Sequence, residues 1–146
     1  LDVKEIAKLF NQAIATENAC RIRYLTHAAV LQGPYADTVG ARLTEIANDE
    51  ASHAEELRKR VADSLNEYPT MEVDPSDLIR AESLEEILDV NIREEQKAIG
   101  FYLKVFAKIP REEVLLHETI EEIIEDEQEH LEELTTLRAV PYPRKR

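Results

Sequence analysis

The chain has 146 residues, enough for one sizeable core and too few for a second independent one. Three glycines, no tryptophan and long Pro-free stretches rich in Glu, Ala, Leu, Ile, Lys and Arg favour an all-α domain over a sheet. A formal net charge of −13 disfavours electrostatic binding to nucleic acid or to an anionic membrane, and suits a protein that collects cations.

The first residues already have helical periodicity and lack the basic, apolar and small-residue segments of a signal peptide. No apolar run approaches the length of a membrane span, and the single cysteine, Cys20, has no intramolecular disulfide partner. A cytoplasmic location is the expectation. A first helix is predicted from about residue 3 to residue 32, where Gly33-Pro34 ends it. A second runs from Asp37 to about Asn66 and stops before Tyr68-Pro69. The connection holding Pro69 and Pro75 has no clear periodicity, and Ser83-Leu84-Glu85-Glu86 then has the Ser-x-x-Glu form of a capping box. It opens a third helix to about Lys108, and Pro110 separates that from a fourth, which fades before Pro141 and Pro143. Residues 1–140 are thus expected to form the domain and 141–146 a flexible basic tail.

Helix length constrains the topology. A thirty-residue helix spans roughly 45 Å, and fourteen extended residues reach about 46–50 Å, so the connection from residue 68 to 82 can run the whole height of a bundle. The other two loops are short and impose antiparallel neighbours. The expected fold is an up-down-down-up four-helix bundle with one long crossover between helices two and three.

Within the second and fourth helices, Asp49-Glu50-Ala51-Ser52-His53-Ala54-Glu55-Glu56-Leu57 returns as Asp126-Glu127-Gln128-Glu129-His130-Leu131-Glu132-Glu133-Leu134, with six of nine positions identical. Each copy is a Glu-x-x-His step, and residues three apart share a helix face, so each can aim a carboxylate and an imidazole at one point. Alternating steps of three and four trace the inward seams. They read Ile6, Phe10, Ala13, Glu17, Cys20, Tyr24, His27, Leu31 in helix one and Val39, Leu43, Ile46, Glu50, His53, Leu57 in helix two. Helix three gives Leu88, Ile92, Glu95, Ile99, Tyr102, Phe106, and helix four Leu116, Ile120, Ile123, Glu127, His130, Leu134, Leu137.

Each seam is apolar except near its middle, where a Glu stands in place of Leu or Ile. Four buried carboxylates without compensation are costly or become protonated. Two divalent cations balance Glu17, Glu50, Glu95 and Glu127, with His53 and His130 completing the ligand set. Carboxylate and imidazole together accept iron, manganese or zinc. Glu94 competes with Glu95 but falls one position off the seam, and the Glu95–Tyr102 spacing repeats that of Glu17–Tyr24, which favours Glu95.

Asp49 and Asp126 precede the two ligand Glu residues and are candidates to accept the second N–H of each imidazole, Asp126 from His53 and Asp49 from His130. Tyr24 and Tyr102 need a hydroxyl partner, for which a ligand Glu is the nearest candidate, and redox participation is the alternative role. Cys20 reads as a small core filler, His27 as a core or bundle-end histidine and His117 as exposed. Arg58-Lys59-Arg60 reads as a solvated face paired with nearby Glu, and Arg144-Lys145-Arg146 as part of the tail.

Glu17 with Tyr24, Asp49-Glu50-x-x-His53, Glu95 with Tyr102 and Asp126-Glu127-x-x-His130 together resemble the ferritin-like superfamily, on its bacterioferritin and rubrerythrin side. The resemblance covers the whole four-helix core. It implies two iron ions per subunit, oxidation of Fe(II) to Fe(III) with O2 or H2O2 for storage or detoxification, and a homo-oligomer. Ala51 stands where bacterioferritins carry the haem-ligating Met, so haem is not expected. Ala98 stands where rubrerythrins place a further carboxylate, which weakens the alternative of a peroxidase fed by an external electron donor. A non-enzymatic metal-binding or DNA-protecting relative is the remaining alternative.

Overall fold

The computed structural model describes residues 2–141. Four α-helices carry the chain: α1 (Val3–Val30), α2 (Ala36–Lys59), α3 (Leu84–Lys108) and α4 (Val114–Arg138). Asp2 caps α1 by accepting from the Glu5 amide at 2.8 Å. The α1–α2 turn is built on Gly33, whose φ of +97° lies in the left-handed region that glycine enters without steric cost. The second helix ends as expected near Asn66, but through a π-helical turn at Arg60–Ser64, and Asn66 itself stops the chain with a φ of 52°. At the start of α3 the capping box is present, with the Ser83 hydroxyl accepting from the Glu86 amide and the Glu86 carboxylate from the Ser83 amide. The basic tail expected over 141–146 lies outside the described residues except for Pro141.

The direction of each helix follows from its cross-links. The crossover advances alongside α1: the Asn11 side chain bonds Tyr68 and Thr70, the Asp74 amide donates to the Ala15 carbonyl, Arg23 reaches the Asp77 carbonyl and His27 the Ile79 carbonyl. It therefore runs the way α1 runs, back past α2, and delivers α3 to the end where α1 finishes. Asn91 meets His27 and Tyr102 meets Glu17, so α3 is antiparallel to α1. His53 meets Asp126 and His130 meets Asp49, so α4 is antiparallel to α2. The bundle is up-down-down-up with one long crossover.

Two apolar clusters make the core. One gathers Phe10, Ala13, Leu57, Tyr102, Leu116, Ile120 and Ile123, and the other Tyr24, Leu43, Ile46, Leu88 and Leu134. Along each helix the passage from one cluster to the other crosses a Glu: Glu17, Glu50, Glu95 or Glu127. The seams of α1 and α2 are buried as expected, whereas on α3 the buried positions are Ile87, Leu88, Asn91, Glu94, Glu95, Tyr102 and Val105, and Ile92, Ile99 and Phe106 are only half-buried. Among the described residues no helix is long and apolar enough to cross a membrane. Replacement of Ser83 by Ala is expected to destabilise the fold by about 1 kcal/mol, through loss of the cap on α3, as a lowered midpoint in urea denaturation.

Candidate metal centre

The mid-bundle layer brings all six sequence-predicted ligands together. Glu17, Glu50, His53 and Glu127 offer atoms within 4.8 Å of one another, and so do Glu50, Glu95, Glu127 and His130. The two groups share Glu50 and Glu127, which places two cation positions side by side with two carboxylates between them. His53 Nδ1 lies 3.4 Å from Glu17 Oε2, 3.6 Å from Glu50 Oε1 and 3.2 Å from Glu127 Oε1. His130 Nδ1 lies 3.4 Å from Glu50 Oε1, 3.7 Å from Glu95 Oε1 and 3.8 Å from Glu127 Oε1. The four carboxylates are each at most 2% exposed.

Outside this cage the same residues are tied down. The Tyr102 hydroxyl donates to Glu17 Oε1 and the Tyr24 hydroxyl to Glu95 Oε1, both at 2.6 Å. Each Tyr thus supports the Glu of the opposite helix rather than that of its own. His53 Nε2 donates to Asp126 and His130 Nε2 to Asp49, both at 2.8 Å, the crossed pairing expected from the sequence. A carboxylate can only accept here, so Nε2 carries the proton and Nδ1 faces the cage.

What remains unpaired is a strong test of fit. Glu17 Oε2, Glu50 Oε1, His53 Nδ1, Glu95 Oε2, Glu127 Oε1 and His130 Nδ1 are buried without a hydrogen-bond partner, one atom from each of the six residues. Buried polar atoms are nearly always paired, so six orphans converging on one layer fit a bound cation set. Carboxylate oxygen with imidazole nitrogen and no thiolate is a donor set suited to iron, manganese or zinc.

Without cations, protons take part of their place. Burial, reinforced by the neighbouring Glu50 charge, pushes Glu17 up from its usual 4.5 to about 8. Burial and the charges of Glu50 and Glu95 push Glu127 up as well. Burial also acts to raise Glu50, but the imidazoles and Glu127 outweigh it and hold Glu50 below the usual carboxylate range. For the imidazoles, burial works downward and the surrounding carboxylates win, so that His53 rises from 6.5 to about 10 and His130 to about 11. Burial likewise drives both tyrosine hydroxyls well above their usual range, which keeps them donors.

The competing candidate, Glu94, is buried but belongs to neither ligand group. Its carboxylate lies 3.9 Å from Arg23 and 3.4 Å from Lys97. Cys20 is buried one turn beyond Glu17, and burial pushes its thiol up. His27 is buried and donates to the Ile79 carbonyl. The expectation for His117 needs correction: it is half-buried, bonds the Pro110 carbonyl at 3.1 Å and packs edge-on against Phe106. The Arg58-Lys59-Arg60 face is corrected too, because Arg58 bonds Asn18 and Arg60 is buried with its Nη1 on Ser64.

Comparisons with known proteins give the family and the fold. The ferritin-like domain model matches residues 7–140. The chain belongs to the ferritin-like domain family. Its structure is similar to a ferritin-like, diiron-carboxylate protein from Bacillus anthracis at a TM-score of 0.86 and 28% identity, over 94% of this chain and 97% of that one. The bacterioferritin of Desulfovibrio desulfuricans, described with a diiron site in different catalytic states, matches at 0.83 and 22% identity, covering 94% of this chain and 80% of that one. A dodecameric, bacterioferritin-related thioferritin from Bacteroides fragilis matches at 0.82 and 23% identity, covering 93% and 85%. At those last two identities the likeness is one of fold. No curated protein matches the sequence.

The protonation pattern sets a pH dependence for the metal-free ferritin-like chain. Groups raised in the folded state stabilise it fully below their unfolded values and lose that contribution as pH climbs through the folded ones. For Glu17 that window runs from 4.5 to about 8, for His53 from 6.5 to about 10 and for His130 from 6.5 to about 11. Thermal melting of metal-free protein is therefore expected to fall steadily from pH 6 to pH 10, and Zn(II) to oppose the fall increasingly as pH rises, since it replaces the protons.

Proposed function

We propose that the chain is a ferroxidase that oxidises Fe(II) to Fe(III) with O2 or H2O2 as electron acceptor, for iron storage or detoxification. The observation that carries this reading is the pair of ligand groups sharing Glu50 and Glu127, with one unpaired buried atom on each of six residues. Glu17 and His53 serve one iron, Glu95 and His130 the other, and Glu50 and Glu127 lie where both can be reached. Two adjacent Fe(II) ions supply two electrons together, enough to take H2O2 to two hydroxides or, with two protons, O2 to H2O2. Holding both in one water-excluding layer lets that pair of electrons leave without a free one-electron product.

Each group in the layer has a separable task. The carboxylates neutralise the positive charge and favour the ferric product, which carries more of it. Tyr24 and Tyr102 fix the outer oxygens of Glu95 and Glu17, so that the inner ones point to the cation positions. Asp49 and Asp126 hold the imidazoles in the tautomer that leaves Nδ1 free. Ala51 offers no group that could ligate haem iron, in keeping with a centre of non-haem iron. The Bacteroides fragilis relative is a dodecamer, and a homo-oligomer is the assembly we infer for this chain, with a cytoplasmic location.

Anaerobic loading with Fe(II) followed by oxygen or peroxide should give about two irons oxidised per chain, as expected for a two-ion centre. Glu50→Ala and Glu127→Ala should each reduce the rate to that of free iron, and full oxidation in both variants would sink the assignment. Asp126→Ala should weaken metal binding by about 10- to 100-fold, because it releases the His53 ring, with Asp49→Ala doing the same for His130. Competition against a colorimetric chelator measures both.

A further inference from the structure

The two halves of the bundle repeat each other, yet they differ at the residue beside each Tyr. Glu17 and Tyr24 of α1 correspond to Glu95 and Tyr102 of α3, so Arg23 corresponds to Phe101. Against Tyr102 stands a neutral neighbour, the Phe101 ring, edge-on at 5.4 Å. Against Tyr24 stands a cation, the Arg23 guanidinium, whose carbon lies 5.3 Å from the centre of the Tyr24 ring. That side chain is only 1% exposed.

Arg23 is held there by a chain of hydrogen bonds whose polarity is determined throughout. Its Nε donates to Asn91 Oδ1 at 2.9 Å and its Nη1 to the Asp77 carbonyl at 2.9 Å. A guanidinium only donates, so Asn91 must present its oxygen to Arg23 and its amide nitrogen to His27 Nδ1, 2.9 Å away. His27 then receives at Nδ1 and donates from Nε2 to the Ile79 carbonyl, which fixes it as the neutral ring. Burial and the Arg23 charge both lower the His27 pKa, in agreement. Glu94 and Asp77 face Arg23, Lys97 and the largely exposed Arg93, and Arg23 is the member of the set that faces the Tyr24 ring.

A cation against an aromatic ring draws electron density from it, and a phenol so depleted is a stronger hydrogen-bond donor. The Tyr24 hydroxyl passes that pull to Glu95 Oε1 through its 2.6 Å bond. A carboxylate that gives up charge to a stronger donor has less to offer a metal at its other oxygen. Tyr102 donates to Glu17 at the same distance, but the neighbour against its ring is Phe101 and not a cation.

Building on the metal-centre reading above, we propose that Arg23 makes the two cation positions unequal, so that the Glu17–His53 position fills before the Glu95–His130 position. Arg23 acts as a positioning residue, through Tyr24. Titration of the full chain with Zn(II) by calorimetry tests this. Two steps are expected, separated by about tenfold or more in affinity. Glu95→Ala should keep the tight step and Glu17→Ala only a weak one. Arg23→Met should tighten the second step alone and bring the two within about threefold. Tyr24→Phe, which removes the relaying hydroxyl but keeps the cation, should narrow the gap in the same way and covers the case of a misfolded Arg23→Met. A general loosening of the structure would weaken both steps instead. Equal steps in the wild type, loss of the tight step in Glu95→Ala, or an unchanged or widened gap in Tyr24→Phe overturns the inference while leaving the metal centre standing. No Zn(II) binding at all overturns both.

Discussion

Four carboxylates in an apolar core need positive charge, and the layout of this bundle follows from that need. Isolated carboxylates at such burial carry a desolvation cost of several kcal/mol each unless neutralised. Glu17, Glu50, Glu95 and Glu127 occupy positions where Leu or Ile would pack, and they split one core into two apolar clusters. Protons on Glu17, Glu127 and the two imidazoles relieve the charge in part, and cations at the two candidate positions would relieve it more fully. In the proposed centre metal would replace those protons, so that binding would act on stability as well as on reactivity.

Four of the six inner residues share a design in which one atom is fixed and another left over. Glu17 and Glu95 have an oxygen bound by Tyr and an oxygen free, and His53 and His130 have one nitrogen bound by Asp and one free. The outer bonds set the rotamers before any cation arrives, so the cost of ordering the ligands is met during folding rather than at binding. Asp49 and Asp126 are about half exposed, which leaves the imidazole ends as the part of the layer nearest to solvent.

Much of this was legible in the sequence because charge in an apolar seam is conspicuous. The repeated Asp-Glu-x-x-His segments, the mid-helix Glu residues and the breakers gave the helices, the crossover and the converging side chains. Even the crossed Asp–His pairs followed, because helices running antiparallel exchange partners at matched heights. Less legible were residues whose role depends on a neighbour far away in the chain. Arg23 and Asn91 look like surface residues by type, and only the crossover passing over α1 supplies the Asp77 carbonyl that makes burial of Arg23 tolerable. Asn91 occupies the buried place that apolar periodicity gives to Ile92, because its amide is satisfied there by Arg23, His27 and the Ile87 carbonyl. Arg60 and His117 were similarly drawn inward, by a local π-helical turn and by the carbonyl of Pro110.

The crossed bonding has a consequence for how the protein is put together. One candidate cation position takes Glu17, Glu50 and His53 from the α1–α2 hairpin and Glu127 from the other; its twin takes Glu95, Glu127 and His130 from the α3–α4 hairpin and Glu50 from the first. Both tyrosine bonds and both aspartate bonds also span the two hairpins. Neither hairpin alone contains a complete position, so the centre comes into being only as the two hairpins dock. Assembly of the carboxylate–imidazole layer and closure of the bundle are thus a single event, and a cation bound there would rivet one hairpin to the other.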